Sequence, residues 1–353
     1  MAIPMLRASA PPAHLRALFH SNVKKPLHVH RLPCSPPELN PVLQAQKHEV
    51  TSESGLSLFV GTHLIPHPNK VDKGGEDAFL VSGFNGAVIA VADGVSGWAE
   101  QNVDPSLFSK ELIAHALSLL GDEEANYNPR MLLNEAHAAT SSIGSATIVV
   151  AMLERDGILR IANVGDCGLR VVRGGQIIFS TSPQEHYFDC PYQLSSESVG
   201  QTYRDAVVST VEVIEKDTVI MGSDGLFDNV FDHEIVSILA KHDDVSEAAK
   251  ALANLAREHS VDSSYDSPYS IEARTRGFDV PVWKKALGFK LTGTGHGLPF
   301  SFSLFVCAVS RISEKYYLFN FISVVSSSCL LLSGGKLDDI TVIVGQVVRP
   351  HGS

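Results

Sequence analysis

The stretch "GAVIAVADGVSGW", Gly86 to Trp98, decides the fold. Every residue from Ala87 to Ala92 is apolar, and Asp93 and Gly94 follow. A run this short and uniform reads as a buried strand that ends in an acid and a glycine. "DTVIMGSDGLFDNVF" repeats the device with Val219 to Met221, then Asp224 and Gly225. Further strands are expected at "LSLFVGTHLI", "AFLVSG", "ATIVVAML", "ILRIANVGD", "LRVVRGGQIIFS", "VVSTVEV" and "ITVIVGQVV".

Helices lie between groups of these strands rather than after each one. "DPSLFSKELIAHALSLL" places Asp104 at an N-cap and Pro105 at the first helical position, with Phe108, Leu112, Ala116 and Leu120 on one face. Asn128 and Pro129 repeat the arrangement. Asp232 is expected to cap "HEIVSILAKH", and Asp244 with Glu247 to form a capping box. Strands joined by short turns favour antiparallel sheets with helices outside them, an α+β layered domain.

Composition narrows the function. The net charge of −11 leaves no basic footprint for nucleic acid. The five cysteines, Cys34, Cys167, Cys190, Cys307 and Cys329, form no CxxC pair, which fits a reducing compartment rather than a disulfide scaffold or zinc site. Residues 1–37 contain no Asp or Glu but carry Arg7, Arg16, Lys24, Lys25 and Arg31. That is the composition of an organelle transit peptide, and 1–50 is assigned as leader.

Acids recur where strands meet turns: Glu76 and Asp77, Asp93, Asp166, Asp224, and Asp338 and Asp339. If these ends converge, the carboxylates cannot all ionise without a compensating cation. Oxygen ligands without His or Cys point to Mg²⁺ or Mn²⁺. Two such ions sharing a carboxylate can orient a phosphate and activate water.

As an ordered set, "GGEDAF", "VADGVSGW", "GSATIVVAML", "ANVGDCGLRVVRGG", "MGSDGLFDNV" and "GKLDDITVIV" resemble the type 2C metal-dependent protein phosphatases, the PPM family. The domain is assigned to 51–348, with 349–353 a tail. The resemblance implies a four-layer αββα fold, a β-sandwich of two antiparallel sheets flanked by helix pairs. It implies two Mn²⁺ or Mg²⁺ ions and attack of a metal-bound water on phosphoserine or phosphothreonine. Asp93 would bridge the ions, Gly94 would offer its carbonyl, and Glu76, Asp224 and Asp338 would complete the set. Asp77 and Asp339 would act from behind these ligands, and Asp166 would serve a weaker third metal. "DGVSGW" and "EHYFDCPYQL" are similar to the small organelle-type branch. That branch implies residence in the chloroplast stroma and phosphoprotein substrates of the thylakoid membrane, photosystem II core proteins among them. A mitochondrial matrix enzyme of the same branch is the alternative location.

Two positions depart from the family pattern. Val95 stands where many members carry His, and Asp72 where many carry a phosphate-gripping Arg. Lys70 or Lys73 would then contact phosphate as a point charge. His186 and Cys167 read as structural residues, and Trp98 as packing.

The block Thr294 to Gly334 has only Arg311, Glu314 and Lys315 as charges. Joining "KALGFKLTG" to "GKLDDITV" restores the family's run, so 294–334 reads as an insertion. Its apolar runs are too short and too interrupted for a confident membrane span. An impaired isoform that only binds, with Asp338 displaced by the insertion, is the competing function.

Overall fold

A computed structural model describes residues 42–44, 55–121, 128–197, 200–277 and 334–350. The expected leader, apart from 42–44, and the expected insertion, apart from Gly334, lie outside the described residues. The first elements are β1 (Val42–Gln44), β2 (Ser57–Ile65), β3 (Asp77–Ser82), β4 (Ala87–Gly94), α1 (Pro105–Ser118) and α2 (Pro129–Ala139). Then come β5 (Ser145–Leu153), β6 (Ile158–Val164), β7 (Gly168–Arg173), β8 (Gln176–Ser180), β9 (Glu185–Tyr187), β10 (Cys190–Pro191) and β11 (Leu194–Ser195). The chain continues through β12 (Val207–Glu212), β13 (Thr218–Gly222), α3 (Asp224–Phe227), α4 (Asp232–Leu239), α5 (Val245–Val261), α6 (Pro268–Thr275) and β14 (Ile340–Val348).

One large sheet has the order β1-β3-β4-β5-β6-β12, with β11 beside β5; the second runs β2-β14-β13-β7-β8, and β9 and β10 form a separate antiparallel pair. Among the described residues the ladders within these sheets are antiparallel, except that β1 runs parallel to β3.

The apolar run of β4 does not alternate because both of its faces are covered. Ile89 and Val91 face the second sheet and meet Leu169, Val171, Met221 and Ile343. Val88, Ala90 and Ala92 face outward and meet Phe108, Leu112 and Ala116 of α1 and Leu132 and Leu133 of α2. Beyond the second sheet, Ile220, Val342 and Val344 pack on Ile235 of α4 and on Ala248, Leu252 and Ala256 of α5. The layers are therefore helix, sheet, sheet, helix, the α+β sandwich expected from the sequence. Among the described residues no helix is long and apolar enough to cross a membrane.

The caps follow the sequence except at Asp232, and of the capping box expected from Asp244 and Glu247 only the Asp244 half forms. Asp104 accepts from the Ser106 amide, Asn128 from those of Arg130 and Met131, and Asp244 from those of Ser246 and Glu247. Asp232 is the first residue of α4 rather than its cap. Its carboxylate pairs instead with Arg170 Nε at 3.0 Å, while Glu234 accepts from the Phe231 amide. "LRVVRGGQIIFS" is two strands, because Gly174 and Gly175 take φ of 56° and 79° and turn the chain.

The glycines that follow the acids make room for neighbouring backbone. A Cβ at Gly225 would lie 2.0 Å from the Asp339 carbonyl oxygen. At Gly94 it would lie 2.6 Å from that of Pro105. Gly225→Ala is expected to cost about 1–3 kcal/mol or more in urea unfolding. Gly83→Ala, whose Cβ would meet nothing within 4 Å, should stay within about 0.5 kcal/mol of the unsubstituted chain. Equal losses would contradict the packing account.

Glu111 of α1 ties down the segment that leads into β5. It accepts from the Ser141 amide at 3.1 Å, the Ser141 hydroxyl at 2.8 Å and the Ser142 amide at 2.7 Å. Burial opposes ionisation, but these bonds prevail and hold its carboxyl down at about 2, below the usual 4.5. A depressed acid contributes stability above its unfolded pKa, and loses it as pH falls through the folded one. Between about pH 4.5 and 2 the unsubstituted chain should therefore lose more stability than Glu111→Gln, measured by thermal unfolding. Parallel pH profiles would count against it.

Candidate active site

The acids meet at one end of the sandwich. Strand register sets Asp77 directly across from Asp93, at the start of β3 and the end of β4. In the second sheet, β13 leads into Asp224 at the head of α3, and Asp338 and Asp339 lead into β14. Asp166 lies between β6 and β7. The two sheets are pinned here: Thr341 Oγ1 of β14 donates to Asp77 Oδ2 at 2.6 Å. The Glu76 amide donates to Asp339 Oδ2 at 2.9 Å, and the His67 amide to Asp339 Oδ1 at 2.7 Å. The Gly94 amide donates to the Glu76 carbonyl at 3.2 Å.

Like charges directly opposed across a ladder are unfavourable, and burial makes them more so. Burial, then Asp77, Asp224, Asp338 and Asp166, pushes the Asp93 carboxyl well above the carboxylate range. Burial and Asp339 push Asp77 up, against the hydrogen bonds from Thr341 and Ser223. Burial and Asp224 raise Asp166, and raise Asp338 to about 7. Burial works against Asp224 as well, but the Lys336 ammonium outweighs it and lowers that carboxyl. Asp77 Oδ1 and Asp224 Oδ1 are buried without a hydrogen-bond partner.

Two ammonium groups enter this cluster. Lys70 Nζ lies 2.7 Å from Glu76 Oε2, 2.9 Å from Ser96 Oγ, 3.3 Å from Asp339 Oδ2 and 3.7 Å from Asp338 Oδ1. Lys336 Nζ lies 2.5 Å from Asp224 Oδ2 and 3.0 Å from Asp228 Oδ2. Both amines are pushed above the lysine range, burial notwithstanding, by the acids around them. Among the described residues no three acidic, His or Cys side chains stand close enough to cage one metal ion as they are. The orphaned carboxylate oxygens and the mutually raised acids nevertheless suit a divalent cation, which takes hard oxygen donors.

The remaining sequence candidates are placed as follows. Lys73 is apart from the cluster, its Nζ 3.3 Å from Asp104 Oδ2. Asp72 lies within a short 3₁₀ turn, Val71–Lys73, and Val95 directly precedes another, Ser96–Gln101. Trp98 is buried and donates to Ser145 Oγ at 2.7 Å. Cys167 is buried against Thr147 Oγ1. His186 is exposed, with Nε2 at 3.0 Å from Gln201 Nε2 and its ring centroid 4.5 Å from that of Tyr192. Lys336, Asp228 and Thr341 were not singled out from the sequence. A basic residue just before the paired acids of "GKLDDI" was the available signal.

No family model matches the chain. Curated relatives do. It is 53% identical over 350 residues to "Probable protein phosphatase 2C 26" of Arabidopsis thaliana, covering 99% of both chains. It is 57% identical over 290 residues to "Probable protein phosphatase 2C 1" of Oryza sativa subsp. japonica, covering 82% of this chain and 75% of the relative. Among solved structures, the photosystem II phosphatase PBCP matches with a TM-score of 0.69 and 56% identity, over 82% of this chain and 98% of that one. The catalytic domain of the serine threonine protein phosphatase PstP, in complex with 2 manganese ions, shares the fold with a TM-score of 0.50 at 16% identity, over 83% of this chain and 99% of that one. With 53% identity along nearly its whole length to one of its members, the chain belongs to the protein phosphatase 2C family of protein-serine/threonine phosphatases.

Proposed function

We propose that the chain hydrolyses phosphothreonine and phosphoserine in proteins with two Mn²⁺ or Mg²⁺ ions, and that its substrates are photosystem II core phosphoproteins reached from the chloroplast stroma. The observation that carries the catalytic part is the crowding of Asp93 by Asp77, Asp224, Asp338 and Asp166. The substrate and location are supported by the 56% identity to the photosystem II phosphatase PBCP and by the acid-free basic leader.

Asp93, Glu76, Asp224, Asp338 and the Gly94 carbonyl would hold the ions. When bound, the ions would polarise the phosphate and lower the pKa of water. Asp77 is held by Thr341, and Asp339 by the His67 and Glu76 amides, so both carboxylates are fixed behind the donors. Lys70 supplies positive charge beside Glu76 and Ser96, where it would orient the phosphate as a point charge without the two-pronged geometry of arginine. Val95 offers no proton to a leaving group. The segment that returns at Gly334 brings Asp338 to within 3.7 Å of Lys70 Nζ, which favours a competent site over one with this acid displaced.

Hydrolysis of a phosphothreonine peptide in Mn²⁺ should fall by roughly 100-fold or more in Asp93→Asn and in Asp224→Asn. EDTA should abolish it in the unsubstituted chain, and added Mn²⁺ should restore it. Turnover that survives both substitutions, or EDTA, would refute the catalytic reading. Isolated thylakoids should lose phosphothreonine from photosystem II core proteins when the enzyme is added; retention there, with peptide turnover intact, would refute the substrate.

A further inference from the structure

Lys336 is built into the acid cluster rather than resting on it. Its backbone is clasped by the buried Asn229, which accepts from the Lys336 amide and donates to the Lys336 carbonyl, each at 2.8 Å. Asn229 also donates to the Gly225 carbonyl at 2.9 Å. Just upstream, Ser267 Oγ donates to the Gly334 carbonyl at 3.1 Å. The backbone is thus fixed on both sides, and the side chain runs to Asp224 Oδ2 at 2.5 Å, Asp228 Oδ2 at 3.0 Å and Asp189 Oδ1 at 3.6 Å. The ammonium also lies 5.2 Å from the centroid of the Tyr269 ring, an attractive cation–π distance. Asp166 is within electrostatic reach of the same ammonium, of Asp224 and of Asp228.

An ammonium is a compact charge, and here Asp224 accepts its hydrogen bond while Asp228 and Asp189 pair with it as charges. It uses only Oδ2 of Asp224; Oδ1 is buried and unpartnered. Asp224 can therefore hold the ammonium with one oxygen and a divalent ion with the other. A further divalent ion between Asp166, Asp224 and Asp228 would have to displace the ammonium or sit against it, and like charges at that range repel strongly.

We propose that the Lys336 ammonium is a built-in cation for the Asp166, Asp224 and Asp228 corner, taking the place of a third metal and limiting the protein to two divalent ions. The proposal rests on the two-ion site described above and replaces the third ion that the sequence assigned to Asp166. Lys336 is on this account a positioning residue, which holds Asp224 oriented toward the metal pair.

The test is equilibrium dialysis of Mn²⁺ against the full chain. The unsubstituted protein and Lys336→Arg should each bind two ions, and Lys336→Met three. The melting temperature of the metal-free Lys336→Met should also be lower, because its acids have lost their counter-charge. If Lys336→Met does not fold without metal, Lys336→Gln, which drops the charge but keeps a hydrogen-bond donor, serves in the same measurement. Three ions on the unsubstituted chain, or equal counts on it and the neutral variant, overturn the proposal and leave the metal site standing. No Mn²⁺ on either protein overturns both.

Discussion

Mutual repulsion among carboxylates is the constraint on which this molecule turns. Asp77 and Asp93 oppose each other across a ladder, and Asp224 and Asp338 approach from the other sheet. Few arrangements of side chains are less favourable in a folded interior without compensation. The chain supplies part of that compensation itself through Lys70 and Lys336, and leaves buried carboxylate oxygens on Asp77 and Asp224 unpartnered. A site of this kind sacrifices stability for the ability to bind positive charge.

The sandwich makes that sacrifice tolerable. Apolar packing between the sheets, and between each sheet and its helices, holds the strands, so their tips need not be comfortable. The acid–glycine pairs belong to the same design. The acid faces the cluster, and the glycine lets another segment cross within contact of the backbone: the Asp339 carbonyl at Gly225, and the Pro105 carbonyl at Gly94. Thr341 and Asp77 then bond the sheets at the site itself.

Much of this was legible in the sequence because it rests on local signals. Unbroken apolar runs marked strands covered on both faces, and Asp104, Asn128 and Asp244 marked helix starts by side chains that reach the next amides. The acids were visible as a set because each ends such a run. What escaped depends on distant partners. Asp232 looks like a cap until Arg170, far away in sequence, claims its carboxylate. Lys336 shows its role only once Asn229 and Asp224 are brought beside it. The strands β9 to β11 and the helix α6 are too short to show a period, and the twin glycines at 174 and 175 read as part of one strand until the turn is seen.

Crystals of the full chain grown with Mn²⁺, with diffraction collected at the manganese absorption edge, test the central claim most directly. Anomalous peaks should stand on either side of Asp93, one toward Glu76 and one toward Asp224. A map without peaks there, with Lys70 and Lys336 alone among the acids, would contradict it.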